Sequence, residues 1–92
     1  METVLITGAS RGIGLELTRQ FLALGYNVIS TYRGQPSIQL KNLLVHDSLS
    51  LYELEVTDET SIANLASKLS NVQLDILINN AGVIGSDEQS ME

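Results

Sequence analysis

Thr7-Gly8-Ala9-Ser10-Arg11-Gly12-Ile13-Gly14 places three glycines in the spacing G-x-x-x-G-x-G, directly after the β-branched and apolar run Thr3-Val4-Leu5-Ile6. Glycine allows positive φ and lets backbone N–H groups approach a phosphate closely, and a helix starting within the segment adds unsatisfied donors with partial positive charge. The chemistry on offer is the binding of an anion, a pyrophosphate in particular. An ordinary glycine-rich turn between a strand and a helix is the plainer alternative. The strict G-x-G-x-x-G spacing is absent, and a phosphate loop is excluded because neither Lys41 nor Lys68 lies near the glycines. Gly8-Ala9-Ser10-Arg11-Gly12 also satisfies G-x-S-x-G, the turn that presents a nucleophilic serine in α/β-hydrolases. That turn needs strands before it and an acid and then a histidine after it. Only seven residues precede Gly8, and the single histidine, His46, stands beside Asp47 in a segment that reads as loop. The hydrolase reading is set aside.

Other residues with chemical potential sit just beyond apolar runs. Arg33 follows Val28–Tyr32, Glu55-Val56 follows a run beginning at Leu49, and Asn79-Asn80-Ala81-Gly82 follows Leu74–Ile78. Each position matches the carboxyl end of a strand, where open α/β sheets bind ligands.

The elements that must carry these residues are legible from periodicity. Thr3–Thr7 reads as a strand covered on both faces. From Gly12 onward Ile13, Leu17, Phe21 and Leu24 form one helical stripe, with Gly25 at the C-terminal cap. Val28–Tyr32 is a second strand, and Pro36 is placed to open a short helix with Leu40, Leu43 and Leu44 as its apolar face. His46-Asp47-Ser48 breaks the pattern before a third strand over Leu49–Val56. Asp58 is an N-cap for a helix built on Ile62, Leu65, Ala66 and Leu69, and Leu74–Asn79 is a fourth strand. Right-handed crossovers then give the start of a doubly wound fold. The expected architecture is α/β, a Rossmann-like three-layer parallel sheet with strand order 3-2-1-4, truncated after strand four. Residues 1–84 are expected to form this unit, whose strand ends suit a dinucleotide, and residues 85–92 read as a loose acidic tail.

Composition bounds the rest. The 92 residues carry 11 acidic against 5 basic side chains, a net charge of −6, which argues against nucleic acid and anionic membranes as partners. With no cysteine there is no disulfide, thiolate metal site or cysteine nucleophile, and no metal site is expected. No run reaches the length of a membrane span, Met1–Ser10 lacks the pattern of a signal peptide, and a cytoplasmic protein is expected.

The clusters Thr7–Gly14 and Asn79–Gly82, in this order and separated by alternating elements, resemble the short-chain dehydrogenase/reductase family. Its members carry T-G-x-x-x-G-x-G after strand one and N-N-A-G after strand four. The resemblance spans nearly the whole chain and only the family's N-terminal part. It implies that Gly8, Ser10, Arg11, Gly12, Ile13 and Gly14 wrap the diphosphate and adenosine phosphate of a nicotinamide dinucleotide. It implies also that Asn80, Ala81 and Gly82 run beside the adenosine ribose, while Asn79 braces the sheet.

Within that resemblance, an acid at the end of strand two would bind the ribose 2′-OH of NAD. Tyr32 stands there instead, with Arg33 next to it and Arg11 in the glycine loop, so two guanidinium groups favour a 2′-phosphate and NADP(H) as cofactor. The alternative for Arg33 is a surface arginine at a strand end. Where many family members have Asp-Val to meet the adenine amino group, this chain has Glu55-Val56, and Glu55 is either that contact or a strand-end charge. The family's catalytic Tyr-x-x-x-Lys is not encoded: four residues beyond Tyr26, Tyr32 and Tyr52 stand Ser30, Pro36 and Val56. No catalytic residue is therefore assigned. The expected function is that of an NADP(H)-binding N-terminal part of a carbonyl or alcohol oxidoreductase, with a non-catalytic nucleotide-sensing or assembly module as the alternative. Self-association through the edge of strand four or an uncovered sheet face is expected too.

Overall fold

The computed structural model describes residues 1–80. In chain order the elements are β1 (Thr3–Ile6), α1 (Gly12–Ala23), β2 (Asn27–Tyr32), α2 (Ile38–Asn42) with a 3-10 turn at Leu43–Val45, β3 (Leu49–Glu53), α3 (Glu59–Lys68) and β4 (Ile76–Ile78). The four strands are parallel in the order β3-β2-β1-β4, as expected. The register pairs Leu5 with both Ile29 and Leu77, and Ile29 with Ser50.

Strand side chains alternate between the faces. Val4, Ile6, Val28 and Leu49 point to one face, where Ala9, Leu22 of α1 and Leu40 of α2 complete the core. Leu5 and Ile29 point to the other, as does Tyr52, over whose ring the Lys68 ammonium of α3 sits 5.9 Å from the centroid. Two helices thus cover one face and α3 the other, as right-handed crossovers require. Coverage by α3 is incomplete among the described residues: Leu65 is buried, while Leu77 on β4 is 62% exposed.

Helix α1 lies rotated from the expected stripe. Its buried line is Gly14, Thr18 and Leu22, while Ile13 and Leu24 are exposed and Leu17 and Phe21 only partly covered. Small residues allow the closest approach to the sheet, and the polar one is satisfied. The Thr18 hydroxyl donates to the Gly14 carbonyl at 2.9 Å and meets the Ser30 hydroxyl of β2 at 2.8 Å, with both residues fully buried. The helix ends in a Schellman motif. Gly25, at φ +89°, donates to Leu22 O, Tyr26 donates to Phe21 O, and the Phe21 and Tyr26 rings meet edge to face at 4.8 Å.

Other boundaries differ from expectation as well, β4 spanning Ile76–Ile78 where Leu74–Asn79 was expected. Ser37, not Pro36, caps α2, its Oγ accepting from Leu40 N–H at 3.1 Å. The chain then tightens to three residues per turn, which keeps Leu43 beside Leu40 on the core side and turns Leu44 outward. Strand β3 stops at Glu53, because after Leu54 N–H donates to Tyr32 O the chain folds into a turn closed by Asp58 N–H on Glu55 O. Asp58 caps α3 as expected, accepting from Thr60 N–H at 2.9 Å, although Ile62 and Ala66 stay exposed beside the partly covered face. Among the described residues no helix is long and apolar enough to cross a membrane.

Candidate functional site

Beyond Ile6 the chain leaves β1 and lies across the end of β2. Ala9 N–H donates to Thr31 O at 2.8 Å, and Gly8 N–H reaches Thr31 Oγ1 at 3.3 Å. Gly8 (φ +67°) and Gly12 (φ +62°) make the two left-handed turns that bring the loop back into α1. Arg11 occupies the N-cap in extended conformation, its side chain making no capping bond, and no acidic residue stands in the first turn. The opening N–H groups of α1 are therefore left for an external anion.

Gly14 serves packing. A Cβ there would stand 2.2 Å from the Gly8 carbonyl oxygen and 2.9 Å from Asn80 Nδ2. The Asn80 amide donates to that same carbonyl at 3.0 Å, and Thr7 Oγ1 donates to Asn79 Oδ1 at 3.1 Å. Consecutive asparagines at the end of β4 thus lock the start of the glycine loop. From the other side, Ser10 and Ser37 hold each other: Ser37 N–H donates to Ser10 Oγ at 3.2 Å, and the Ser37 hydroxyl donates to the Ser10 carbonyl. The loop is tied to β2, β4 and the cap of α2.

A cleft of ≈ 970 Å³ opens over the carboxyl ends of the strands. Gly8, Ser10, Arg11, Gly12 and Ile13 line it from the glycine loop, Tyr32 and Arg33 from the end of β2, Glu55 and Val56 from the turn after β3, and Asn80 from beyond β4. Gly14 lies buried beneath the loop instead of in the lining, and Ala81 and Gly82 fall outside the described residues. Sequence reasoning missed Gln35, Ser37, Gln39, Leu54 and Thr57, which complete the lining. Ser37 carried a signal, a serine three residues before buried Leu40. Leu54 and Thr57 are the neighbours that the strand-to-turn change after Glu53 brings into the cleft.

Charge in the cleft is arranged as a chain. Arg33 Nε lies 2.8 Å from Glu55 Oε1, with the arginine side chain 83% exposed and the glutamate 31%. Glu55 Oε2 accepts from the Thr57 hydroxyl at 2.8 Å. That hydroxyl, more than the Arg33 charge, holds the Glu55 carboxyl below the ordinary carboxylate value, against the opposing effect of partial burial. A second, smaller cleft of ≈ 290 Å³ lies between β3 and α3, and no group of three or more acidic or histidine side chains among the described residues could hold a metal ion.

An uncapped helix start, a glycine loop and paired arginine and glutamate at neighbouring strand ends meet in this one cleft. The chain is similar to known proteins in sequence and in fold. An uncharacterized oxidoreductase of Schizosaccharomyces pombe is 43% identical over 84 residues, covering 87% of this chain and 27% of its own. An NADP-dependent 3-hydroxy acid dehydrogenase of Shigella flexneri is 39% identical over 84 residues, covering 87% of this chain and 33% of its own. Among solved structures, a carbonyl reductase of Pseudomonas aeruginosa in complex with NADP superposes with a TM-score of 0.78 at 33% identity, over 86% of this chain and 37% of that one. A short-chain dehydrogenase/reductase of Burkholderia multivorans with bound NADP gives 0.78 at 34%, over 85% and 35%. The chain thus spans about a third of the length of these relatives. The model of the short chain dehydrogenase family matches residues 2–92, and with the glycine loop, the paired asparagines and the 3-2-1-4 sheet in agreement, the chain belongs to the short-chain dehydrogenase/reductase family.

Proposed function

We propose that the cleft is an NADP(H) site, the N-terminal half of the cofactor-binding apparatus of a carbonyl or alcohol oxidoreductase. The observation that carries this reading is the convergence of Arg11 and Arg33 on one cleft whose β2 end presents Tyr32 and no acid. The uncapped start of α1, reached through the positive-φ glycines, suits the diphosphate. Val56 and Leu54 offer an apolar wall for the adenine, and Asn80 stands where the adenosine ribose would pass. Relatives solved with NADP support the choice of cofactor.

When bound, the nicotinamide supplies the hydride that such an oxidoreductase transfers. The residues of this chain bind and orient the adenosine half and hold the diphosphate. They provide no proton donor, since no Tyr-x-x-x-Lys occurs among the 92 residues. In this reading no residue of the chain is assigned to proton transfer or substrate recognition. The remaining parts of the reading are a dinucleotide-binding unit over residues 1–84 and a cytoplasmic setting. Self-association through the edge of β4 or an uncovered sheet face is the last, and Leu77, exposed on the face that α3 covers incompletely, favours the second route.

Titration calorimetry of NADPH and NADH against the chain and an Arg33→Ala variant tests the reading. NADPH binds more tightly to the unsubstituted chain, and the variant loses most of that preference. Equal affinities, or a preference for NADH, would overturn it.

A further inference from the structure

Arg33 is the side chain on which recognition of a 2′-phosphate turns, yet with 83% of it exposed nothing in the core fixes its rotamers. A long, solvated arginine loses appreciable conformational freedom when it must point at one ligand atom. The chain already restricts it. Glu55 Oε1 receives Arg33 Nε at 2.8 Å, and Oε2 of the same carboxylate accepts from Thr57 Oγ1 at 2.8 Å and from Thr57 N–H at 3.5 Å. The backbone beneath is fixed as well, because Glu55 N–H donates to Ser61 Oγ of α3 at 2.9 Å. Contact through Nε leaves the Nη1 and Nη2 groups of the guanidinium, the edge that takes a phosphate in bidentate fashion.

Both carboxylate oxygens thus already have partners within the protein, Oε1 the Arg33 Nε and Oε2 the Thr57 hydroxyl. We propose that Glu55, braced by Thr57, is the positioning residue for Arg33 and through it sets the preference for NADPH over NADH. The inference rests on the NADP(H) reading of the cleft.

The two cofactors share the adenine and differ only in the 2′-phosphate, so the ratio of their affinities isolates the effect on Arg33. The ratio is also insensitive to partial unfolding of a variant, which lowers both affinities alike. NADPH and NADH are titrated calorimetrically into the full chain and into Glu55→Ala, Glu55→Gln, Thr57→Val, Arg33→Ala and the Arg33→Ala/Glu55→Ala double variant. For an exposed ion pair, Glu55→Ala should lower the NADPH to NADH affinity ratio about two- to fivefold. Glu55→Gln, which keeps an acceptor oxygen, restores most of the ratio, Thr57→Val shifts it in the same direction by less, and the double variant is no worse than Arg33→Ala alone. A Glu55→Ala variant that loses both cofactors equally would mark Glu55 as an adenine contact and overturn the proposal, as would an unchanged ratio. Tighter NADPH binding would overturn it also, by making Glu55 a competitor for Arg33. If the unsubstituted chain shows no preference for NADPH, the reading of the cleft has failed, and that result is separate from any change among the variants.

Discussion

The α-carbon of Gly14 packs against the carbonyl of Gly8 so closely that one added methyl group would stand 2.2 Å from the oxygen. No rotamer change relieves this contact, because both partners are backbone. Gly14→Ala must push α1 away from the glycine loop and pull the Gly8 carbonyl off the Asn80 amide. The expected loss is about 1–3 kcal/mol of stability, the range for overpacking a tight site. NADPH affinity is expected to fall with it, because the proposed anion site is the start of α1. Denaturant unfolding with a parallel cofactor titration checks both.

The buried hydroxyl pair of Thr18 and Ser30 predicts non-additive substitutions. Thr18→Val keeps the shape and leaves the Ser30 hydroxyl enclosed without this partner, at about 1–3 kcal/mol. Ser30→Ala removes the need for that partner, so the double variant Thr18→Val/Ser30→Ala is less destabilised than the sum of the singles. Unfolding free energies of the four proteins complete the cycle.

Stability should fall on acidification in part through Glu55. The Thr57 hydroxyl, then the Thr57 N–H and the Arg33 charge, keep its carboxyl below the ordinary value of 4.5 in the folded chain. Between the folded and unfolded values the unfolded chain binds more protons. The contribution of Glu55 is therefore fully present above pH 4.5 and is lost as the pH falls through the folded value. Thr57→Val removes the largest cause and makes this acid limb shallower. Urea midpoints compared at neutral pH and at about pH 3.5 show the difference.

Carbonyl reduction by the 92-residue chain is expected to stay at background. The Tyr-x-x-x-Lys pattern does not occur in the sequence, and cofactor binding alone does not turn over substrate. NADPH oxidation followed with a panel of aldehydes and ketones is the measurement. Activity that survives repurification would place catalytic residues elsewhere in the chain.

Strand order and the location of the cleft were legible because they follow from apolar runs and from the handedness of crossovers, which depend little on detail. The glycine loop and Asn80 were legible from type and spacing. Partners were not. Glu55 and Arg33 each suggested a contact with ligand, and nothing in their spacing says that they meet each other. The turn after Glu53 brings them together, and a strand extended to Val56 would have given Glu55 a different reach. The rotation of α1 was hidden for a related reason. Its stripe of large apolar residues pointed to Ile13 and Leu24, whereas the closest approach to the sheet is made by Gly14 and Thr18, whose value lies in small size and a satisfied hydroxyl.

The contacts from Thr7 and Gly8 to Asn79 and Asn80 span 72 residues of chain. A ribosome releases the glycine loop first and the asparagines last among these elements, so the loop emerges without the groups that lock it. Local helix formation in α1 is fast, but closure of so long a loop must wait for β4 to dock beside β1. Until then the Gly8 carbonyl lacks the Asn80 amide, and the mouth of the cleft has no fixed shape. The cleft is thus among the last parts of the fold to mature during synthesis. A nascent chain stalled before Asn79 should leave the loop open to proteases that the completed fold excludes.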